Sequence, residues 1–278
     1  MPELPDLIYV EGRLREALRG QAITAARLTE PIVLRCLVKG DLSLLVGHPL
    51  DDVFRRSNFL VFRCGPYDLS VSPMLAGKFR LARPGERDEA ALAFALGFGP
   101  ERELRYIDDK NMGKAYLGPA GQWKDIPGLR QVGVSVLAPE FTLARFQELL
   151  KKRRDQVRLF LMDKTALDSM GNAYADEVLF EASLHPKTFC RSLSPDDAVR
   201  LHAAIVKVLG EATAEIARRA EPIEVKVRDF LKVRRKDDCP RCGGKIRKAG
   251  VRGMDSYFCP RCQPATRSSL VDWTKTPR

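Results

Sequence analysis

Three groups of residues in this 278-residue chain have the types and spacing to do chemistry. The first is Pro2-Glu3. Met1 precedes a proline, a small residue that permits removal of the initiator, and removal leaves Pro2 as a free secondary amine beside a carboxylate. An amine next to an acid is what Schiff-base formation at a sugar carbon requires; an ordinary chain start is the plain alternative. The second is Cys239-x2-Cys242 and Cys259-x2-Cys262, two knuckles separated by residues 243–258. This spacing sets four thiolates around one Zn(II), with no position left for a catalytic water, so the ion is structural. The third is Gly171-Asn172, opening a helix. A side-chain amide among the N–H groups of a helix N-terminus is a phosphate seat, and equally an ordinary cap.

The elements that must position these groups can be read from periodicity. Leu7, Val10, Leu14 and Leu18 recur at helical spacing directly after Pro2. Short strand-like runs follow at 59–62, 69–71, 104–107 and 114–117, punctuated by Gly, Pro and Asp, which suggests a β-sandwich or barrel with a flanking helix. From about Ala138 the pattern turns helical. Thr142 caps a helix carrying Leu143, Phe146, Leu149 and Leu150, and Ser194-Pro195-Asp196-Asp197 starts another with Val199, His202, Val206 and Leu209 on one face. The expected organisation is a β-sandwich or barrel domain over 1–136, a helical domain over 137–228, a zinc finger over 229–263 and a flexible tail over 264–278.

Composition narrows the class of partner. Hydrophobic content of 45% with 30% charged residues describes a soluble globular protein, and a formal net charge of +11 favours a polyanion: DNA, RNA or an anionic membrane surface. No apolar run is long enough to span a bilayer and no secretory signal is present. Cys36, Cys64 and Cys190 are scattered and expected to be buried. Lys245, Arg247, Lys248 and Arg252, on the finger's hairpin, either meet phosphates or form a solvated surface. The basic run Lys151–Arg154 reads as a helix end and the three histidines as structural.

Taken in order, Pro2-Glu3-Leu4-Pro5, Met74, Arg105-Tyr106-x-Asp108, Leu161-Met162-Asp163, Gly171-Asn172-x-Tyr174-Ala175-x-Glu177, Leu184-His185-Pro186 and the four-cysteine hairpin resemble the formamidopyrimidine-DNA glycosylase/endonuclease VIII family over nearly the whole chain. The resemblance implies an α+β multidomain clamp: an N-terminal β-sandwich, a helix-two-turn-helix domain and a zinc finger around double-stranded DNA that holds a damaged base or abasic site. It implies that the Pro2 amine attacks C1′ of a flipped nucleotide, that Glu3 handles protons at the sugar, and that β,δ-elimination then cuts the strand. It further implies that Asn172 holds a phosphate and Met74 fills the gap in the base stack. A monomer in a bacterial-type cytoplasm, associated with the nucleoid, is the expected setting.

The chain also departs from the family pattern. Asn58 stands where a phosphate-contacting lysine is expected, Val71 replaces a histidine, and Lys110-Asn111-Met112 replaces an Arg-Arg-Phe void-filling loop. Met254 aligns with the finger arginine, with Arg252 two residues away, and Arg158 aligns with a lysine of the helical domain. The connection Ala220–Lys226 is shorter than the Gly- and Thr-rich loop of the family's oxidised-guanine enzymes, so an 8-oxoguanine substrate is not expected. Three functions are weighed, in this order: a bifunctional glycosylase and abasic-site lyase, a noncatalytic or weakly active damage-binding protein on the same fold, and a general zinc-ribbon nucleic-acid binder, which would leave Pro2-Glu3 and Gly171-Asn172 unexplained.

Overall fold

The computed structural model describes residues 2–168 and 170–265; Met1 and most of the tail expected over 264–278 lie outside the described residues. Two compact units emerge from the packing. The first comprises 1–131 with 215–227, the second 132–214 with 228–278. The first unit is therefore discontinuous in sequence and differs in extent from the anticipated 1–136 segment.

In the first unit α1 (Leu4–Leu18) precedes nine strands: β1 (Ala25–Leu28), β2 (Leu34–Cys36), β3 (Leu50–Arg56), β4 (Phe59–Cys64), β5 (Tyr67–Ser72), β6 (Lys78–Ala82), β7 (Leu92–Phe98), β8 (Arg102–Ile107) and β9 (Lys114–Pro119). They form a four-stranded sheet ordered β1-β7-β8-β6 and a five-stranded sheet ordered β2-β9-β5-β4-β3. One core joins both sheets to α1, whose Leu7, Leu14 and Leu18 are buried among Phe62, Leu69, Phe79, Phe94 and Leu96. This is the β-sandwich with a flanking helix, and the helical spacing after Pro2 and the four strand-like runs all fall in regular elements. β4 is buried almost continuously rather than alternately, because a second small cluster, Phe59, Tyr116, Ile126 and Leu129, is buried separately from the main core. Cys64 is buried as expected, whereas Cys36 is exposed, at the end of the edge strand β2.

The second unit holds α2 (Leu143–Lys151), α3 (Val157–Leu161), α4 (Asn172–Glu181), most of α5 (Pro195–Arg219), and the hairpin β10 (Arg247–Val251) and β11 (Met254–Phe258). The caps form as read. Thr142 accepts from Arg145 N, and Ser194 and Asp197 exchange hydrogen bonds at 3.1 and 2.9 Å in a reciprocal box. The buried face of α5 is not the expected one. Ala198, Leu201, Ile205, Leu209, Ala212 and Ile216 are buried, while Val199 and Val206 are exposed. The buried set keeps an unbroken i, i+3/i+4 rhythm to the end of the helix; the two valines lie one position off that stripe.

Candidate active site and metal centre

The amine candidate sits at the start of α1, where backbone N–H groups converge. Pro2 is buried and Glu3 is 6% exposed. The Asp6 carboxylate accepts from Glu3 N at 2.7 Å, so the turn carrying the pair is fixed by a capping interaction. Pro2, Asp6, Tyr9, Lys78, Ile223 and Lys226 line a cavity of about 30 Å³. Its far wall is the connection after α5: Tyr9 donates to the Glu221 carbonyl at 2.6 Å, Ile223 packs on the sandwich core, and Lys226 donates to the Leu75 carbonyl at 3.3 Å.

A wider cleft of about 710 Å³ in the same unit shares Lys78, Glu224 and Lys226 with that cavity and is bordered by Leu75, Lys110 and Met112. Of the two methionines anticipated as wedges, Met112 borders this cleft and Met74 stands one residue before its Leu75. Met74 adopts φ +49°, in the left-handed region, and Leu75 after it is 56% exposed. A non-glycine residue there is held by its surroundings rather than by preference. Met112, 41% exposed, follows Asn111 at φ +50°. The buried Asp108 carboxylate receives Lys110 N and Gly113 N, which shapes this loop. Both loops close on Tyr106: a Cβ at Gly77 or Gly113 would overlap its hydroxyl. Burial, reinforced by Asp108, pushes that phenol well above its ordinary value, so it stays neutral.

Asn58 is not placed as a surface contact. Ser57-Asn58 forms the two-residue turn between Arg56 and Phe59, with Ser57 at φ +54°, and the Asn58 amide points inward to donate to Ser72 Oγ at 2.7 Å, leaving the residue 7% exposed. The side chain at the position of the expected lysine is thus engaged within its own sheet. Val71, next to Ser72, is fully buried in the core, an apolar site where imidazole would need a partner.

In the second unit Asn172, the candidate phosphate seat, has a built environment. Asn172 is the first residue of α4, and its Oδ1 accepts from Arg158 Nη2 at 2.8 Å. Arg158 is fully buried, also donates to the Asp255 carbonyl at 3.1 Å, pairs with Asp176 at 3.3 Å, and keeps Nη1 without a partner. Asp176 was not singled out in the sequence. It binds Arg234 at 2.6 Å, Ser256 Oγ at 2.7 Å and Tyr257 N at 3.2 Å, fastening α4 to β11. Glu177 beside it accepts from the N–H groups of Lys232, Val233 and Arg234 at 2.7 to 3.0 Å. Burial pushes its carboxyl up despite those three donors. The available signal was two adjacent acids inside an otherwise apolar helix. Arg252 is exposed at the tip of the finger hairpin, where Arg252 and Gly253 both take positive φ, +46° and +77°, in a tight two-residue turn. Met254 follows on β11.

The four cysteines converge. Their Sγ atoms all lie within 4.8 Å of one another, with Cys239–Cys262 at 3.8 Å and Cys242–Cys259 at 3.5 Å. A tetrahedron of Zn–S bonds near 2.3 Å has edges of about 3.8 Å, so the arrangement fits one zinc ion. Cys239 N donates to the Gly244 carbonyl at 2.7 Å and Gly243 N to the Cys239 carbonyl at 2.9 Å, the tight backbone turn that brings the first pair round. Gln263 closes the second, accepting from Cys259 N at 3.0 Å and donating to the Leu184 carbonyl at 2.8 Å. An all-thiolate set holds the fold and supplies no reacting water.

Residues 1–115 match the family model described as the formamidopyrimidine-DNA glycosylase N-terminal domain, residues 132–221 its H2TH domain, and residues 238–265 the zinc finger found in FPG and IleRS. A formamidopyrimidine-DNA glycosylase of Symbiobacterium thermophilum is 34% identical, over 95% of this chain and 90% of its own. Among solved structures, the Lactococcus lactis Fpg with abasic-site DNA superposes at a TM-score of 0.85 and 26% identity, over 95% of this chain and 100% of that one. The same enzyme with DNA containing N7-benzyl-Fapy-dG gives 0.85 at 27% identity and the same coverage. Among the described residues no helix is long and apolar enough to cross a membrane.

Proposed function

The chain belongs to the formamidopyrimidine-DNA glycosylase family of base-excision enzymes, and from that premise we propose that it removes a damaged base from double-stranded DNA and then cleaves the strand at the abasic sugar. The observation that carries the reading is the buried Pro2-Glu3 pair at the N-terminus of α1, lining a cavity. Once Met1 is removed, the positive end of the α1 dipole disfavours protonation of the Pro2 amine. The nitrogen lone pair forms the bond to C1′ as the bond from C1′ to the base breaks; the base leaves with that electron pair and takes up a proton, balanced by the N–H proton the amine loses. Glu3 supplies a proton to the ring oxygen as the sugar opens to the iminium. Loss of a C2′ proton then expels the 3′ phosphate, and a second elimination expels the 5′ phosphate.

Asn172, with the unpartnered Arg158 Nη1 beside it, is the assigned phosphate seat. Met74 and Met112 are the wedges, and Lys110 and Arg252 the exposed cations meeting the backbone. The short Ala220–Lys226 connection, packed down by Ile223, leaves no long cover for a flipped base. The substrate is accordingly an oxidised pyrimidine, a ring-opened purine, a bulky adduct or an abasic site rather than 8-oxoguanine. The inward turn of Asn58 and the apolar Val71 support a second reading, a damage-binding protein with little or no turnover.

Borohydride trapping on a duplex with a single abasic site separates the two. A covalent complex whose yield changes in Pro2→Gly, which exchanges a secondary for a primary amine, is the expected result. Tight binding without any complex, after intact mass has confirmed loss of Met1, would favour the damage binder.

A further inference from the structure

The first unit carries a basic pocket with an aromatic floor, apart from the Pro2 cavity. Arg56, the last residue of β3, lays its guanidinium over Trp123, 4.4 Å from the ring centroid, and Phe54 meets the same indole edge-on at 6.1 Å. The indole is fixed by Asp68, which is 2% exposed and accepts Trp123 Nε1 at 3.1 Å and Gly121 N at 2.8 Å. The charge of Asp68 is already matched by Arg63, which donates to both its oxygens at 3.0 Å. Arg56 has no such partner: its Nε is buried without a hydrogen bond. Lys124 and Arg130 line the same pocket, tied together by Arg130 Nε donating to the Lys124 carbonyl at 3.0 Å. Three cations and no carboxylate thus surround a space of about 430 Å³. Among the described residues none of the three is in an ion pair. Uncompensated cations around a preoriented guanidinium are a site for a phosphate, to which arginine donates two parallel hydrogen bonds.

We propose that this pocket binds a backbone phosphate of DNA and provides the cation that the neighbouring Asn58 does not. The assignment rests on the reading of the chain as a DNA enzyme, and it agrees with the net charge of +11. Arg56 directly precedes the Ser57-Asn58 turn, so this cation lies only two residues along the chain from Asn58.

The test uses the full chain and fluorescence titration with undamaged and abasic duplexes over a range of salt. In Arg56→Gln, and separately in Lys124→Gln/Arg130→Gln, affinity should fall equally for both duplexes, and the salt slope should drop by about one for each phosphate no longer neutralised. The exposed Lys124 and Arg130 can be changed without disturbing the core. The chain has two tryptophans, so Trp273→Phe leaves Trp123 as the only reporter, and duplex DNA should quench or shift its emission. An unchanged slope with unchanged Trp123 emission would overturn the proposal. A response to inorganic phosphate or a mononucleotide but not to duplex would also overturn it, in favour of a free phosphate ligand. Loss of borohydride trapping in a wild-type protein that keeps the expected salt slopes would sink the lyase reading and leave the pocket standing. A wild-type protein that binds no duplex would end both.

Discussion

A carboxylate held at 6% exposure beside an amine has one use as an acid and another as a charge, and replacing it by an amide separates them. Glu3→Gln keeps the shape of the helix start and removes proton transfer. Base release should fall on the order of 10²-fold or more, the usual contribution of a positioned acid or base, while affinity for an abasic duplex is retained. Single-turnover base release alongside binding checks this, and unchanged turnover would remove Glu3 from the chemistry. At this scale Pro2, Glu3 and Asn172 were visible as residue types in a local pattern. The inward turn of Asn58 was not, because it depends on a hydroxyl fourteen positions away at Ser72. Nor does the pattern around Met74 announce its left-handed backbone, since no glycine or asparagine stands there to signal it.

At the scale of elements, helix α4 is the hinge-pin of the second unit. Asp176 is fully buried and opposes two guanidinium groups, those of Arg158 and Arg234. Asp176→Asn leaves their charge uncompensated and should cost about 3–5 kcal/mol, read by denaturant unfolding and by faster amide exchange in β11; normal stability would show that the pairing adds nothing. The segment after α3 gives a pH prediction. Burial alone would push the Asp163 carboxyl up, but hydrogen bonds from Thr165 and pairing with Arg153 outweigh it and hold it below the ordinary value. A depressed folded-state value means the stabilisation is present above the unfolded carboxylate value and is lost as pH falls through the folded one. Asp163→Asn should flatten the acid limb of the stability curve and leave little pH dependence from this group. Caps and strand runs were legible because they are local: Thr142, Ser194 and the run at 69–71 each act within a single element. The face of α5 was misphased by one position, since two exposed valines look as apolar as buried alanines until the partner surface is known. Asp176 was missed for the same reason, its partners on β11 lying 80 residues away.

For the whole molecule the zinc centre is the clearest dependency. Metal binding and folding of residues 238–265 form a single equilibrium, so Cys239→Ser, or a strong chelator, should remove zinc, unfold the hairpin that carries Arg252, and weaken DNA binding together. Metal analysis and duplex titration on one sample check it, and normal affinity with no zinc would detach the finger from DNA recognition. The knuckle spacing made this centre readable from sequence, as did the order of motifs for the architecture. The extent of the first unit was not readable, because residues 215–227 join it only through contacts made in three dimensions.

That discontinuity sets an order of events during synthesis. Pro2 is among the first residues to leave the ribosome, while Ile223 and Lys226, which wall its cavity, are among the later ones. At about 5–20 residues per second, roughly 11 to 45 seconds separate them. Through that interval the nascent N-terminus has no completed pocket to enter, and an aminopeptidase can reach Met1 before Pro2 is enclosed. The late closing segment would thus serve as a timer for the proposed role of Pro2: its amine would be unmasked on an open chain and only afterwards sealed in.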